Sequence, residues 1–368
     1  MNEVLIGRLA VSQVRNLVDV NIAELAPVNV FYGDNGAGKT SILEAIYLLS
    51  AGRSFRSHKL NPLINSLSDK CVAFADIDIP GVGFQPVGVE RFKSSQQRGN
   101  IRIAGQTVSS AAVLAENLPL QVLSSDTFKL LEGAPKIRRQ FMDWGVFHVE
   151  QGFHGVWKNA QRCLKQRNSL LRRGRIDSVQ LQAWSQELVA AGEQLHLYRE
   201  HYFSLFLPQF STMMARLTAF DGVSLEYYRG WEKSKTLAES YFDNSQKDID
   251  RGYTGTGHHR ADLRLKCQSM MAVDVLSRGQ QKLVVCAMRL AQGYLLGALR
   301  GKRCVFLVDD LPAELDRHHR KALCELLEEL NCQVFLTCVD YQDVKDCWQA
   351  DTDRKLFHVE HGKVSLVA

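Results

Sequence analysis

The chain has 368 residues, 45% of them hydrophobic and 23% charged, with a net charge of +5. That length predicts a large buried core and two domains, and the composition is that of a soluble globular protein. Nine cysteines without one C-x-x-C pair exclude a secreted disulfide scaffold and a cysteine zinc site; the absence of a basic-then-apolar leader and of a bilayer-length apolar run predicts a cytoplasmic protein with no membrane partner.

Residues 3–32 predict β structure. Val4, Ile6, Leu9 and Val11 are followed by Val18, Val20 and Ile22, and then by the short apolar run Val28–Tyr32. The next eight residues, Gly33, Asp34, Asn35, Gly36, Ala37, Gly38, Lys39 and Thr40, read G-x-x-x-x-G-K-T. After them Ile42, Ala45, Ile46 and Leu49 recur at helical spacing. Strand, glycine loop and helix together turn a helix N-terminus and a row of backbone N–H groups toward an anion. Lys39 supplies a point charge to the outer phosphates of a nucleoside triphosphate, and Thr40 a hydroxyl for Mg²⁺. Arg53, Arg56, His58 and Lys59 form a basic cluster just beyond this helix, facing either DNA or nucleotide.

Residues 71–108 alternate in the manner of further strands, and composition changes near Pro119. From about 126 to 215 the apolar residues fall at helical spacing. Lys136 to Arg175 holds ten Lys or Arg against Asp143 and Glu150, a local charge of +8 that leaves the rest of the chain at −3. Lys158, Arg162, Lys165, Arg172 and Arg173 share one helical face, opposite Trp157, Ala160, Leu164 and Leu171. A helix packed on one side and cationic on the other suits DNA phosphates, without base-reading character. A strand is expected near Val223–Tyr228, and a loop over Gly252–His259.

Leu276-Ser277-Arg278-Gly279-Gln280 opens a long helical pattern running to Leu299. A serine and a glycine at a helix start offer a hydroxyl and free N–H groups to a phosphate, or serve simply as an N-cap. Val305–Val308 is an apolar strand ending in Asp309 and Asp310, and a carboxylate at the C-terminal end of a parallel strand sits where open α/β sheets bind ligands. Asp309 is expected to hold Mg²⁺, and Asp310 to position or deprotonate the attacking water, with Lys39 completing the catalytic set. A last buried strand covers Gln333–Thr337.

The motifs GDNGAGKT, LSRGQ and VFLVDD, followed by Glu314-Leu315-Asp316, stand in the order of an ATP-binding-cassette ATPase head, which the chain resembles. Leu9–Leu17 and Ser41–Ile46 are similar to the structural-maintenance-of-chromosomes and Rad50 branch. GRSFRS from Gly52, GAPKIRRQFMDW from Gly133 and KQRN from Lys165 resemble its recombination-mediator members. The resemblance implies an α/β head of mixed sheets with flanking helices, assembled from residues 1–118 and 255–368. A mostly helical insert, 119–254, interrupts it without a long coiled coil. It implies that Arg15, Asn16 and Ser41 join the phosphate loop at the nucleotide, that Asp316 belongs to the D-loop, and that Ser277, Arg278, Gly279 and Gln280 cap the ATP of a second copy. It further implies an ATP-dependent homodimer on gapped DNA or single-strand/double-strand junctions, acting with mediator proteins to load a recombinase.

Three departures from the general ATPase pattern predict slow, DNA-stimulated hydrolysis: Arg278 replaces a signature glycine, Asp310 the usual glutamate, and Cys338 a switch histidine. A head that serves as a scaffold with a degenerate hydrolysis site is the alternative. Transporter ATPases have a much shorter middle segment, and chromosome-organising proteins have long heptad arms that this chain lacks. Gln121 is the candidate for the glutamine lid, though its surroundings read as strand. His258, His259, Arg260 and Asp262 form a structural or nucleotide-proximal loop rather than a metal site.

Overall fold

The computed structural model describes residues 4–57, 59–79, 81–94, 96–97, 99–172 and 177–367. His58, Arg173 and Arg175, which belong to the basic clusters above, lie outside the described residues. In chain order the strands are β1 (Ile6–Val14), β2 (Leu17–Ile22), β3 (Val28–Tyr32), β4 (Lys70–Ile79), β5 (Gly83–Phe92), β6 (Ile101–Ile103), β7 (Gln106–Thr107), β8 (Leu120–Leu123), β9 (Val223–Tyr228), β10 (Asp262–Cys267), β11 (Met270–Met271), β12 (Val305–Val308), β13 (Gln333–Cys338), β14 (Arg354–Glu360) and β15 (Lys363–Leu366). The helices are α1 (Lys39–Ala51), α2 (Ala111–Asn117), α3 (Pro135–Val149), α4 (Phe153–Leu171), α5 (Ser178–Leu217), α6 (Leu237–Asp243), α7 (Ser245–Arg251), α8 (Ala272–Val275), α9 (Arg278–Arg300), α10 (Leu311–Glu314) and α11 (Arg317–Glu329).

The chain forms two compact units. The first comprises Met1–Phe128, Met213–Ala219 and Lys282–Ala368, and the second Lys129–Thr212 and Phe220–Gln281. These limits differ from the expected ones at 118/119 and 254/255. β8 pairs in parallel with β12, which draws residues 119–128 into the first unit. β10 pairs with both β9 and β11, which holds residues 255–281 in the second. The helical insert therefore also carries a three-stranded sheet.

Two six-stranded sheets build the first unit, one in the order β2-β1-β4-β5-β6-β7 and the other β15-β14-β3-β13-β12-β8. The first is antiparallel throughout. In the second β14, β3, β13, β12 and β8 run parallel, with β15 antiparallel at the edge. Parallel strands covered on both faces read as continuous apolar runs, and β12 and β13 are buried at every position. Phe31, Phe335 and Phe357 of three neighbouring strands stack in this core, and α1 packs Ile42, Leu43, Ala45, Ile46 and Leu49 into it with no exposure. Because they run parallel, β3, β12 and β13 bring their C-terminal ends to one edge of the sheet, where open α/β sheets bind ligands.

Helix α9 is long and apolar enough to cross a membrane by length and composition alone, but most of it is buried, as in a core helix. In the second unit, charge is buried in pairs. Arg138 grips Asp262 at 2.8 and 3.0 Å, Arg199 grips Asp143 at 2.8 and 3.0 Å, and Arg167 meets Asp248 at 2.8 Å.

Candidate nucleotide site

The loop from Gly33 to Gly38 joins β3 to α1 with the backbone the motif demands. Gly33, Gly36 and Gly38 have φ of 144°, 81° and 123°, values costly for any side chain. At Gly33 a Cβ would also stand 2.2 Å from the Val359 carbonyl oxygen, so β14 seals the back of the loop. Lys39 is buried, and its Nζ donates to the Gly33 and Asp34 carbonyls at 2.6 and 2.9 Å. An ammonium held over the loop's own carbonyls is a cation stationed where phosphate oxygens are to lie.

Thr40 and Asp309, predicted to share a cation, are brought together: the Thr40 hydroxyl donates to Asp309 Oδ1 at 2.8 Å. Thr337 of β13 donates to the same oxygen at 2.9 Å and accepts the Asp310 N–H at 2.8 Å. Burial pushes the Asp309 carboxyl above its ordinary range, opposed by the Thr337 and Thr40 hydroxyls and by the charge of Arg56, with Asp310 adding to the rise. A hydroxyl and carboxylate oxygens are the hard donors Mg²⁺ requires, so these residues fit that ion. Asp310 follows in a left-handed conformation, φ 51° and ψ 51°, as the N-cap of α10. Cys338, in the switch-histidine position, has its thiol pushed up to about 12 by burial and offers neither charge nor a strong donor.

The two arginine-bearing loops beside the phosphate loop are organised by a residue the sequence did not single out. Glu44, fully buried on α1, accepts Arg15 Nε and Nη2 at 2.8 and 2.9 Å and also the Ser54 hydroxyl. Arg15, expected at the nucleotide, spends its Nε and Nη2 on this carboxylate. Its neighbour Asn16 does reach the loop: Nδ2 donates to the Gly36 carbonyl at 3.2 Å and Oδ1 accepts the Ser41 hydroxyl at 2.8 Å. Ser41 thus bonds a protein group rather than open space. Arg53 and Arg56 are both exposed, and Arg56 is the one whose charge acts on Asp309.

A cleft of about 520 Å³ is lined by Gly33–Ala37 with Tyr32, Val339, Asp340 and His358–His361. Another, of about 630 Å³, lies at the opposite ends of the same strands, beside Val28 and Val334, and contains none of the motif residues. Gln121 is a buried β8 residue bonded to Gln292 at 3.0 Å and Arg289 at 2.7 Å, in keeping with the strand its surroundings predict.

In the second unit Ser277, Arg278 and Gly279 are exposed and Gln280 half-buried. Ser277 and Gln280 form a reciprocal capping pair at the start of α9, with the Gln280 N–H on Ser277 Oγ at 3.3 Å and the Ser277 N–H on Gln280 Oε1 at 2.9 Å. Gly279 has open space where a side chain would project. Asp316 caps α11, accepting the His319 N–H at 3.0 Å and its ring Nδ1 at 2.6 Å; this pulls the Asp316 carboxyl below its ordinary range. His258 and His259 lie on a short 3-10 turn, and Asp262 is spent on Arg138. Among the described residues no metal-binding cluster of these types forms.

The cationic face of α4 is present. Lys158, Arg162, Lys165 and Arg172 are exposed, while Ala160 and Leu171 are buried. Arg162 leans over Trp184 and stands 3.6 Å from Glu187. The segment's charge of +8 overstates its surface field. Arg138 and Arg167 are buried against Asp262 and Asp248, and Arg139 donates to the Ala261 carbonyl at 2.8 Å. Those acids lie beyond residue 175, so a count within the segment misses them. Thr337 and Glu44 were missed for a different reason: one sits inside an apolar strand and the other inside an apolar helix face, and only the fold carries them to the motifs.

The chain matches the family described as "RecF/RecN/SMC N terminal domain" over residues 5–365. It is 49% identical over 358 residues to a Pseudomonas entomophila protein named "DNA replication and repair protein RecF", covering 97% of each chain. A protein of the same name from Stutzerimonas stutzeri is 50% identical over 360 residues, covering 98% of this chain and 97% of the relative. Among solved structures, the recombination mediator protein RecF with ATP superposes with a TM-score of 0.85 at 21% identity, covering 99% of this chain and 98% of that one. An Smc head domain from Pyrococcus furiosus gives 0.59 at 14% identity, covering 99% and 96%. At such identities these two likenesses show the fold, mixed α/β sheets with flanking helices.

Proposed function

Since the chain belongs to the RecF family within the RecF/RecN/SMC group, we propose that it is an ATP-dependent DNA-binding protein of recombinational repair and replication-fork maintenance. The observation that carries the nucleotide reading is the convergence of Thr40, Asp309 and Thr337 beside the glycine loop at the ends of three strands. The triphosphate lies along the loop's N–H groups and the start of α1, with Lys39 leaving its carbonyl partners for the outer phosphates. Thr40 and Asp309 hold Mg²⁺, which supplies neutralising charge to the terminal phosphate oxygens. Asp310 accepts the proton of the attacking water. Its side chain is one methylene shorter than a glutamate, which supports slow turnover used as a timer.

Ser277 and Gly279 complete the site of a second copy, because their exposed helix start offers the Ser277 hydroxyl and first-turn N–H groups to a terminal phosphate. Two copies related by a two-fold axis then close two equivalent sites, and ATP stabilises the closed pair through contacts made only in that state. Lys158, Lys165 and Arg172 hold the DNA backbone without reading bases, on gapped DNA or single-strand/double-strand junctions. Together with mediator proteins the ATP-bound dimer places a recombinase there. Sedimentation of the wild type with ATP, with ADP and without nucleotide, beside Lys39→Met and Ser277→Arg, tests this reading. A dimer is expected only for the wild type with ATP, and a wild type that stays monomeric in ATP overturns the clamp.

A further inference from the structure

Glu44 is a carboxylate with no exposure on a helix otherwise packed through Ile42, Leu43, Ala45, Ile46 and Leu49. A buried ion pair recovers its desolvation cost only with excellent geometry, and a well-packed hydrophobe at such a position is often equally stable. Stability alone therefore does not account for a carboxylate here. Its bonds run in two directions, to the turn that reaches the phosphate loop and to the loop after α1. Through Arg15, bound at 2.8 and 2.9 Å, it holds the left-handed turn between β1 and β2, where Arg15 has φ 53°. That turn carries Asn16, which bonds the Gly36 carbonyl and the Ser41 hydroxyl.

Through Ser54 the same carboxylate holds the loop after α1. Ser54 Oγ accepts the backbone N–H groups of Arg56 and Ser57 at 3.0 and 3.1 Å. Glu44 also stands one helical turn after Thr40, the residue bonded to Asp309. Hydrogen bonds run from Glu44 through Ser54 to the Arg56 backbone and from Thr40 to Asp309, and the charge of Arg56 acts on Asp309.

We propose that Glu44 is a positioning residue that locks the Arg15–Asn16 turn and the Arg53–Ser57 loop to the first turns of α1, so that Arg56 stands at the outer-phosphate end of the nucleotide site. This deepens the nucleotide reading above and rests on it. The Arg15 arm fixes the walls of the phosphate loop, which ATP and ADP share. The Ser54 arm fixes Arg56, which acts only where a third phosphate lies. Loss of the Ser54 arm thus separates ATP from ADP, an effect that looser packing alone does not produce.

The test is competition binding of ATP and ADP to the full chain as wild type, Glu44→Gln, Ser54→Ala, Arg56→Ala and the doubles of the first two with Arg56→Ala, with thermal unfolding as the fold control. Ser54→Ala is expected to weaken ATP about tenfold, equivalent to ~1.4 kcal/mol, with ADP changed by less than about threefold. Glu44→Gln is expected to lose at least as much for ATP and to weaken ADP as well. Adding Arg56→Ala to Ser54→Ala should cost nothing further, the pattern of two residues acting through one contact. If Glu44→Gln does not fold, the Ser54→Ala series alone decides. Equal losses of ATP and ADP in Ser54→Ala, or a full second loss on adding Arg56→Ala, overturn the proposal while wild-type binding leaves the nucleotide reading standing. A wild type that binds neither nucleotide overturns that reading and this inference together.

Discussion

The Thr337 hydroxyl donates to Asp309 Oδ1 at 2.9 Å and in the same position accepts the Asp310 N–H at 2.8 Å, so one side chain sets the direction of both acids. The two acids have different surroundings. Asp309 points back toward Thr40, while Asp310 turns into a left-handed cap with its side chain uncommitted as a cap.

Thr337→Val keeps the volume of this position and removes both bonds. It deprives Asp309 of a hydrogen bond to a charged group and leaves the Asp310 N–H without its partner, a loss of about 1.5–3 kcal/mol in stability. Magnesium-dependent ATP binding should fall with it, and Thr337→Ser should restore both properties. Denaturant unfolding and nucleotide titration measure the pair. Thr337→Val with wild-type ATP affinity would remove Thr337 from the site.

The turn between β14 and β15 makes a second contact with the phosphate loop. The Gly362 N–H donates to the Ala37 carbonyl at 2.8 Å, and a Cβ at Gly362 would lie 2.3 Å from the Asn16 carbonyl oxygen. Gly362→Ala therefore combines a strained φ of 76° with a clash against backbone, and should destabilise the chain by about 1–3 kcal/mol and weaken nucleotide binding. Gly301→Ala is the control: its φ of 60° is similarly positive, but open space surrounds the position. That variant should show only the conformational cost and leave nucleotide affinity unchanged. Equal effects of the two substitutions on ATP binding would show that the hairpin does not brace the loop.

What the sequence revealed and what it hid divide along a physical line. The glycine loop, the two acids after β12 and the helix start at Ser277 were legible because each is a local device whose residue types and spacing are set by backbone geometry. The run Val305–Val308 was legible as a buried strand because both faces are covered. Glu44 and Thr337 were hidden because each looks ordinary among its chain neighbours and acts on residues about 30 positions away or nearer only through the fold. The unit boundaries differ from the expected ones where strand pairing rather than composition decides, as when β8 pairs with β12. At Arg15 resemblance marks the position without showing that Glu44 binds it.

The second unit should weaken in mild acid. Burial lowers the His259 pKa from 6.5 to about 4, opposed by its bond to the Thr254 carbonyl and reinforced by the charges of Arg260, Arg139 and Arg167. His258 is lowered in the same direction by burial and by His259. The unfolded chain takes up these protons near pH 6.5 and the folded chain only well below it. Stability is therefore whole above pH 6.5 and falls as the pH drops toward 4, by up to about 3 kcal/mol for His259. Asp309, raised in the folded protein, works in the opposite sense, so the comparison must isolate the histidine. Denaturant midpoints at several pH values should show a shallower acid slope for His259→Asn than for the wild type. Parallel slopes would show that this ring does not set the acid limb.

Basic residues on α4 and at its C-cap should separate into two classes that composition treats alike. Lys158, Lys165 and Arg172 are exposed, whereas Arg167 on the same helix is buried and bonded to Asp248 at 2.8 Å, Thr254 at 2.6 Å and Ser185 at 3.0 Å. Reversing the three exposed residues to glutamate should leave folding unchanged within about 0.5 kcal/mol each. DNA affinity should fall, and the slope of log K against log salt should lose on the order of 0.7–0.9 for each phosphate contact removed. Arg167→Ala should instead strand Asp248 in the interior and destabilise the second unit by about 3–5 kcal/mol. Its effect on DNA should follow the unfolded fraction and leave the salt slope of the folded protein intact. An undiminished salt slope in the triple reversal would assign this face to a protein partner, and a changed slope in folded Arg167→Ala would bring a buried arginine into a role that its three bonds leave no room for.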